Sequence, residues 1–246
     1  MLKFLPMKDA IVIIPTYNEI ENIEAVIIAV FAQDKAFDVL VVDDNSPDLT
    51  AEKVKTLQAE FPDRLFLLQR QNKTGLGTAY IDGFKWCLER KYGYIFEMDA
   101  DFSHNPDDLV KLYRACAKEG ADVAIGSRYI TGVNVVNWPM NRILLSYFAS
   151  KYVRFITRMD IQDTTAGFVC YKRKVLETIN LDAIKFVGYA FQIEMKFKAH
   201  LKGFKIVEVP VIFTDRAKGK SKMSGGIISE AVFGVINMKL KSLFGK

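Results

Sequence analysis

Histidine and cysteine are scarce in this 246-residue sequence, and their scarcity excludes several kinds of site. Only His104 and His200 are present, so carboxylates are the expected donors for any metal ion rather than a set of imidazoles. The three cysteines, Cys87, Cys116 and Cys170, form no CxxC pair and leave an odd count. Neither a disulfide framework nor a zinc cluster is predicted, and a reducing compartment fits the pattern.

Long apolar runs are also missing. The best uninterrupted run, Ala25 to Ala32, falls well short of the ~18 apolar residues that a membrane span requires. The first ten residues carry Lys3, Lys8 and Asp9 and lack the apolar core of a signal peptide. We therefore expect a cytoplasmic chain that is soluble or lies on the surface of a membrane.

Positive charge is concentrated near the C-terminal end. The formal net charge is +5, but residues 196–246 hold 11 Lys or Arg against 3 Asp or Glu, which leaves −3 for the remainder. Such a surplus indicates either an anionic partner, such as a membrane surface or a phosphate-bearing substrate, or an ordinary solvated surface.

Buried strands and amphipathic helices alternate through the first half of the sequence. The predicted strands are Ala10 to Pro15, Val39 to Val42, Leu65 to Leu68, Tyr94 to Met98 and Val123 to Ile125, and the predicted helices are Ile20 to Phe31, Thr50 to Phe61, Thr78 to Arg90 and Pro106 to Lys118. The second half is less regular, with helices at Asn141 to Thr157 and Ala190 to Leu201 and a strand at Lys205 to Phe213. This alternation predicts one α/β domain with a mainly parallel sheet and helices on both faces.

Polar clusters follow several of these strands directly, and ligands in such sheets bind beyond the carboxyl ends of the strands. The most informative cluster is Asp99-Ala100-Asp101, where two carboxylates flank a small residue. Two carboxylates plus diphosphate oxygens suit Mg²⁺ or Mn²⁺. A DxD triplet alone is a weak signal, because acidic residues also cap the helix that follows.

A series of motifs, in this order, resembles the dolichol-phosphate mannose synthases, which are inverting family 2 glycosyltransferases of the GT-A fold. The motifs are PTYNE at Pro15, VVDDNSPD at Val41, TGLGTAY at Thr74, DADFSHNP at Asp99, GSRY at Gly126, DTTAGFVCYKR at Asp163, GYAFQIEM at Gly188 and VPVIFTDRAKGKSKMS at Val209. The likeness spans Ile11 to about Ser224. Its front half is shared by many nucleotide-sugar enzymes, whereas GSRY, the later RxxxS and the DRxxGxSK loop point to a polyprenyl-phosphate acceptor.

The resemblance implies a donor site for GDP-mannose. It assigns the nucleoside to Pro15, Tyr17, Glu19, Val42 and Asp44, and the sugar diphosphate to Asp99, Ala100 and Asp101. The metal, Mg²⁺ or Mn²⁺, is expected on Asp99 and Asp101. Some relatives have Gln where this sequence has Ser103, so Ser103 is expected to be only a weak or water-mediated third ligand.

For the acceptor, the resemblance implies a lipid phosphate held by Arg128, Arg142 and Ser146. Arginine offers bidentate bonding to phosphate oxygens, and Arg142 and Ser146 lie one helical turn apart on one face. The loop Asp215 to Lys222 resembles the mobile acceptor loop of the family, with Arg216 and Lys222 expected to reach the donor phosphates. Asp101, Arg128 and Arg216 are thus the predicted catalytic residues.

A phosphate acceptor needs no protein base, since a phosphate monoester is mostly ionised near neutral pH. A transferase with a sugar hydroxyl acceptor would need one, and Glu194 or Asp163 would be that base. The other hypotheses left open are a family 2 transferase that uses UDP-glucose or another nucleotide sugar, a DxD phosphohydrolase, and a non-catalytic nucleotide-sugar binder.

The sequence divides into a predicted catalytic domain, residues 1–224, and a C-terminal amphipathic helix, residues 225–246. Ile227, Ile228, Ala231, Val232, Val235, Ile236, Leu240 and Leu243 form its apolar surface, followed by Lys239, Lys241 and Lys246. Such a helix either lies in the interface of a membrane or docks on the core. We expect a peripheral protein on the cytoplasmic face of a membrane, with a polyprenyl or dolichyl phosphate substrate, a small membrane anchor subunit as a further candidate partner, and no nucleic acid.

Overall fold

A computed structural model describes residues 9–188, 190–215 and 226–244. The strands are β1 (Ala10–Thr16), β2 (Asp38–Asp43), β3 (Leu65–Gln69), β4 (Tyr94–Glu97), β5 (Val123–Ser127), β6 (Val135–Val136), β7 (Val169–Lys172), β8 (Ile206–Pro210) and β9 (Phe213–Thr214). The helices are α1 (Ile23–Phe31), α2 (Thr50–Gln58), α3 (Leu76–Glu89), α4 (Asp108–Ala117), α5 (Met140–Thr157), α6 (Arg173–Thr178), α7 (Ala190–Leu201) and α8 (Gly226–Phe244), with a short 3₁₀ turn at Leu181–Ala183. The five strands and four helices predicted for the first half are confirmed, with ends shifted by a few residues.

Seven strands form the main sheet in the order β3-β2-β1-β4-β7-β5-β8. All neighbours in it are parallel except β7, which lies between β4 and β5 and is antiparallel to both. Cys170 of β7 is thus paired with Phe96 on one side and with Ala124 on the other. The mainly parallel sheet is confirmed, and β7 was not predicted.

Strand β1 shows how the two layers of the core arise from alternation. Ile11 and Ile13 point into one apolar cluster, and Val12 and Ile14 point into the other. The first cluster is covered by α3 and α5 to α8, and the second by α1, α2 and α4. On the first face α3 approaches β1 closely, because a Cβ at Gly83 would lie 2.9 Å from the Ile13 side chain.

The predicted strand Lys205 to Phe213 is wrong as a single element. β8 ends at Pro210, which has no N–H with which to continue the ladder. The chain then crosses to a second, two-stranded sheet, in which β9 pairs in parallel with β6. This small sheet lies over the loop that follows β4, since the N–H of Thr214 donates to the carbonyl of Ser103 at 3.4 Å.

Helix α8 docks on the core by one face. Val235 is buried in the first cluster, and the Tyr152 hydroxyl of α5 donates to the carbonyl of Val232 at 2.8 Å. Phe233, Ile236, Leu240 and Leu243 remain exposed on the other face, while the side chains of Ile227, Ile228 and Ala231 lie outside the described residues. In the described part of the chain, no helix combines the length and the apolar character needed to cross a bilayer.

Candidate active site

The DxD triplet lies in the loop after β4, where backbone hydrogen bonds hold it tightly. The N–H of Ser103 donates to Asp101 Oδ1 at 3.0 Å, and the N–H of Asp99 donates to His104 Nδ1 at 3.1 Å. Phe102 adopts a left-handed backbone with φ of 60°, which turns the chain sharply between the two contacts. Asp99, Asp101 and Ser103 therefore border the same cavity.

The residues of this loop fit a divalent cation. Ser103 Oγ is buried without a hydrogen-bond partner, and the Asp99 and Asp101 carboxylates border the same cavity. Oxygen donors of this kind suit Mg²⁺ and Mn²⁺. Among the described residues no group of three or more His, Cys, Asp or Glu side chains is gathered for a metal, so further oxygens would come from a substrate.

His104 was not predicted as a site residue, yet it braces the DxD loop. Its ring stacks on Phe168 with 4.8 Å between centroids, and burial lowers its pKa to about 4. The imidazole is therefore neutral near pH 7, which leaves Nδ1 able to accept the hydrogen bond from Asp99. A single histidine beside an acidic triplet gave no pattern from which this role could be predicted.

Arg128 lies just beyond β5 and is clamped by Asp163. Its Nε and Nη2 atoms each lie 2.6 Å from a carboxylate oxygen of Asp163, and Nη2 also donates to Thr165 Oγ1 at 2.9 Å. Burial opposes the charge of Arg128, but Asp163 outweighs it and raises the pKa of the guanidinium. The clamp fixes one edge of the guanidinium.

Arg142 lies at the start of α5 and is held more loosely. Its Nη1 donates to Asp215 Oδ1 at 2.9 Å, its guanidinium carbon lies 4.0 Å from the Trp138 ring centroid, and the side chain is 25% exposed. Ser146, one turn further along α5, borders the same cavity. The structure thus brings together the three residues predicted for the acceptor phosphate.

A cavity of about 370 Å³ joins these groups. Its polar end is formed by Asp99, Asp101, Ser103, His104, Arg128, Arg142, Ser146, Thr165, Gln192 and Asp215, and its apolar walls by Leu76, Trp138, Leu145, Phe148, Ala149, Tyr152, Val153, Ile193, Phe213 and Val232. The apolar part is formed mainly by α5, and α3, α7 and α8 contribute Leu76, Ile193 and Val232. The cavity therefore combines acidic, basic and apolar surfaces, which suits an amphiphilic anion beside a metal-bound diphosphate.

The residues predicted for the nucleoside lie at the neighbouring ends of β1 and β2, outside the lining of this cavity. The N–H of Asp44 donates to the carbonyl of Thr16 at 3.0 Å, which ties the two loops together. Burial raises the pKa of Asp44 despite the nearby guanidinium of Arg70, whose Nη1 lies 2.6 Å from Asp44 Oδ1. Arg70, which was not predicted, also donates to Thr78 Oγ1 at 2.8 Å and so links β2 to the start of α3.

The other predicted nucleoside residues differ in what they can offer. Val42 is buried in the core, so only its backbone can meet a ligand. Pro15 is the penultimate residue of β1, and the Tyr17 ring lies 4.0 Å from Lys73 Nζ. Glu19 Oε2 accepts a hydrogen bond from the Asn22 amide at 3.2 Å. Ala100 is buried between the two aspartates, whereas Arg216 and Lys222 lie outside the described residues.

A buried polar network that was not predicted lies beneath the DxD loop. Gln192 of α7 donates to Glu97 Oε2 at 2.8 Å, and Lys196, one turn on, donates to the carbonyl of Ala166 at 2.6 Å. Burial raises the pKa of Glu97 and lowers that of Lys196. The network connects the end of β4 to the turn that carries Asp163.

Neither candidate for a catalytic base is suited to that role. Burial would raise the pKa of Asp163, but Arg128 outweighs it and holds that pKa below its usual value. Glu194 accepts hydrogen bonds from the backbone N–H groups of Lys185 and Phe186, and it does not border the cavity.

Comparison with known proteins agrees with this architecture. The model of "Glycosyl transferase family 2" matches residues 11–179. The chain belongs to glycosyl transferase family 2.

Curated relatives narrow the comparison within the family. The chain is 47% identical over 230 residues to the polyprenol monophosphomannose synthase of Mycolicibacterium smegmatis, covering 94% of this chain and 86% of that protein. It is also 47% identical over 223 residues to the undecaprenyl-phosphate mannosyltransferase of Micrococcus luteus, covering 91% and 90%. A third relative, the dolichol-phosphate mannosyltransferase of Pyrococcus furiosus, is 40% identical over 223 residues, which cover 89% of this chain and 60% of the length of that protein.

Solved structures confirm the predicted GT-A fold. Glucosyl-3-phosphoglycerate synthase from Mycobacterium tuberculosis, solved with Mn²⁺, UDP and glucosyl-3-phosphoglycerate, has a TM-score of 0.68 at 15% identity, over 96% of this chain and 80% of that one. A mannosyltransferase from Pyrobaculum calidifontis, solved with GDP-Man and Mn²⁺, has a TM-score of 0.58 at 17% identity, over 96% and 74%.

Proposed function

We propose that this chain transfers mannose from GDP-mannose to a polyprenyl phosphate. The observation that carries the proposal is that Asp99 and Asp101 share one cavity with Arg128, Arg142 and Ser146. The same cavity has apolar walls contributed by helices. A water-soluble acceptor would gain nothing from those apolar walls, whereas a polyprenyl chain would be buried against them. The names of the curated relatives support the same reaction.

On the donor side, the ends of β1 and β2 would hold the nucleoside through Pro15, Tyr17, Glu19, Asp44 and the backbone of Val42. Asp99, Asp101 and Ser103 would hold Mg²⁺ or Mn²⁺, which supplies positive charge at the diphosphate as the anomeric bond breaks. For Arg216 and Lys222, the sequence motif alone supports the proposed role at the donor phosphates. The two solved neighbours that contain Mn²⁺ support a metal-dependent reaction.

On the acceptor side, Arg142 and Ser146 would bind the lipid phosphate, and the clamped guanidinium of Arg128 would orient it. A phosphate oxygen forms the new bond to the anomeric carbon while the bond to GDP breaks, so the configuration inverts and GDP leaves. Because the acceptor phosphate is already ionised near pH 7, no side chain has to remove a proton. The absence of a suitable base at Asp163 and Glu194 supports this acceptor over a sugar hydroxyl.

The lipid substrate would be met at the surface of a membrane. Helices α5 and α8, which both contribute residues to the cavity, expose large apolar side chains: Met140, Leu144, Leu145, Phe148 and Phe155 on α5, and Phe233, Ile236, Leu240 and Leu243 on α8. Such helices can lie in the interface of a bilayer. We place the protein on the cytoplasmic face, where nucleotide sugars are available, with a small anchor subunit as a further candidate partner.

The test is transfer of radiolabelled mannose from GDP-mannose to a short polyprenyl phosphate with Mn²⁺ present. Asp101→Asn should lower the rate by about two to three orders of magnitude, since the loss of one charge-stabilising group costs about 3–4 kcal/mol in the transition state. Asp160→Asn is the matched control, because the Asp160 side chain is 97% exposed and outside the cavity. Activity with UDP-glucose but none with GDP-mannose would refute the mannose assignment and leave the fold unaffected.

A further inference from the structure

A second groove lies on the opposite side of α8 from the catalytic cavity, between α8 and α7. It has a volume of about 360 Å³. Its rim carries four lysines, Lys185, Lys198, Lys202 and Lys241, and we call it the lysine groove. None of these residues takes part in the proposed transfer reaction.

Positive charge in the lysine groove is poorly balanced. The like charge of Lys185 lowers the pKa of the Lys241 ammonium group. Glu194 is the one carboxylate among the residues that line the groove. Its Oε2 already accepts hydrogen bonds from the backbone N–H groups of Lys185 and Phe186 at 2.8 and 3.1 Å, and its Oε1 lies 3.5 Å from Lys198. The rim therefore favours an anion.

The floor of the groove is apolar. The buried or half-buried side chains of Ile179, Phe186, Phe197 and Met238 line it, together with the more exposed Leu201. Phe186 fits closely against α8, because a Cβ at Gly234 would lie 2.5 Å from its ring. A small soluble anion would satisfy the rim but leave this floor in contact with water, whereas an amphiphile would cover both.

The position of the groove on α8 indicates that the amphiphile is a membrane lipid. Asn237 and Lys241 each directly follow a residue of the exposed apolar stripe on α8, Ile236 and Leu240 respectively. If that stripe enters a bilayer, the lysine groove opens at the level of the lipid headgroups.

We infer that the lysine groove binds the phosphate headgroup of an anionic phospholipid, with the start of an acyl chain against its apolar floor. The inference rests on the interfacial part of the proposed function and is independent of the sugar chemistry. It makes α8 a wall shared by two lipid sites, one for the acceptor and one for a lipid that is not consumed.

The test is calorimetric titration of the full chain with dihexanoyl phosphatidylglycerol below its critical micelle concentration, so that single lipid molecules are measured. Wild type should bind with one saturable site. The double variant Lys185→Gln/Lys241→Gln should bind at least about tenfold more weakly, since each lysine near an anionic lipid contributes about fivefold. The matched double variant Lys151→Gln/Arg158→Gln removes the same charge from α5 and the residue that follows it, outside the groove, and should bind like wild type.

Absence of binding to wild type, or equal weakening in both double variants, would overturn the inference. Equally tight binding of inorganic phosphate would overturn the lipid assignment, since the floor would then contribute nothing. A second measurement needs no variant: bound lipid should protect Lys185 and Lys241 from an acetylating reagent, and mass spectrometry detects the acetylated lysines. If both lysines are acetylated as fast at saturating lipid as without it, the site is contradicted. Mannose transfer to a short polyprenyl phosphate should be unchanged in the Lys185→Gln/Lys241→Gln variant. If wild type binds the phospholipid but transfers no mannose, the proposed function is refuted and the lysine groove inference stands.

Discussion

The donor side of the sheet, β1 to β3 with their loops, and the acceptor side, β5, β7 and β8 with α5 and α7, hold their charges in different ways. On the donor side, Asp43 is satisfied by nearby hydroxyls and a backbone N–H, from Thr16 and Ser46. On the acceptor side, Arg128 and Asp163 are 35 residues apart in sequence and are buried as a bidentate pair. The donor side thus satisfies Asp43 with neutral groups and Asp44 with the slightly exposed Arg70, whereas on the acceptor side the buried charges of Arg128 and Asp163 must balance each other.

The strongest test of this difference is Arg128→Met, which leaves the Asp163 carboxylate buried without its partner. We expect it to lower the free energy of unfolding by about 3–5 kcal/mol. Urea denaturation of wild type and variant measures the change. Arg128→Met/Asp163→Asn should recover part of the loss because the uncompensated charge is gone, and a loss below about 1 kcal/mol in the single variant would show that the pair is not a structural element.

His104 lies between the two sides, where it accepts a hydrogen bond from Asp99 after β4 and stacks on Phe168 before β7, and it makes stability depend on pH. Burial lowers its folded pKa to about 4, below the unfolded value of about 6.5, so its contribution is complete above pH 6.5 and is lost as pH falls toward 4. The maximum loss is about 3 kcal/mol. Unfolding in EDTA at several pH values measures it, and in His104→Asn, whose amide oxygen can also accept from Asp99, this part of the pH dependence should disappear. A variant with an unchanged pH profile would contradict the assignment.

The two sides meet where α3 begins. A Cβ at Gly77 would lie 2.7 Å from the Phe186 carbonyl and 2.8 Å from the Phe191 ring. Gly77→Ala should therefore cost about 1–2 kcal/mol, since overpacking outweighs the gain in helix propensity. Gly188→Ala is the control, because a Cβ there meets no atom within 4 Å. Equal melting temperatures for the two variants would show that this contact yields without strain.

Arg142 should show the smallest effect on stability, because its ion pair with Asp215 is partly exposed. Arg142→Met should change the free energy of unfolding by less than about 1 kcal/mol. It should nevertheless raise KM for the polyprenyl phosphate about tenfold or more, since a charge-assisted contact is lost. If KM stayed constant while stability fell, Arg142 would be a structural residue like Arg128.

The strands and helices of the first half could be predicted from sequence, because each is a continuous apolar run or a helical pattern between turn residues. β7 could not be predicted, since Val169–Lys172 is only four residues long and its two neighbours, β4 and β5, are distant in sequence. The break after Pro210 was missed because the residues on both sides of it are apolar. Local patterns are silent about such pairings.

The site residues also divide into those that could be predicted from the sequence and those that could not. Asp99, Asp101, Arg128, Arg142 and Ser146 were predicted through motifs, and the structure places all five around one cavity. The partners that position site residues were not predicted: Arg70, Gln192 and Lys196 lie in other segments, His104 lies within the DxD motif but was given no role, and Asp163 was considered only as a base. Each partner is defined by a tertiary contact, and a single sequence does not contain that information.

The antiparallel strand β7 also sets a distance. Neighbouring strands are about 4.8 Å apart, so inserting β7 separates the strand that leads to the DxD carboxylates from the one that leads to Arg128 by about 10 Å. At an effective dielectric constant of about 20, two unit charges about 5 Å apart repel each other by about 3.3 kcal/mol, and at about 10 Å by about 1.7 kcal/mol. If a donor diphosphate and an acceptor phosphate bind above these two strands, β7 acts as a spacer that keeps one anion from expelling the other before the sugar moves between them.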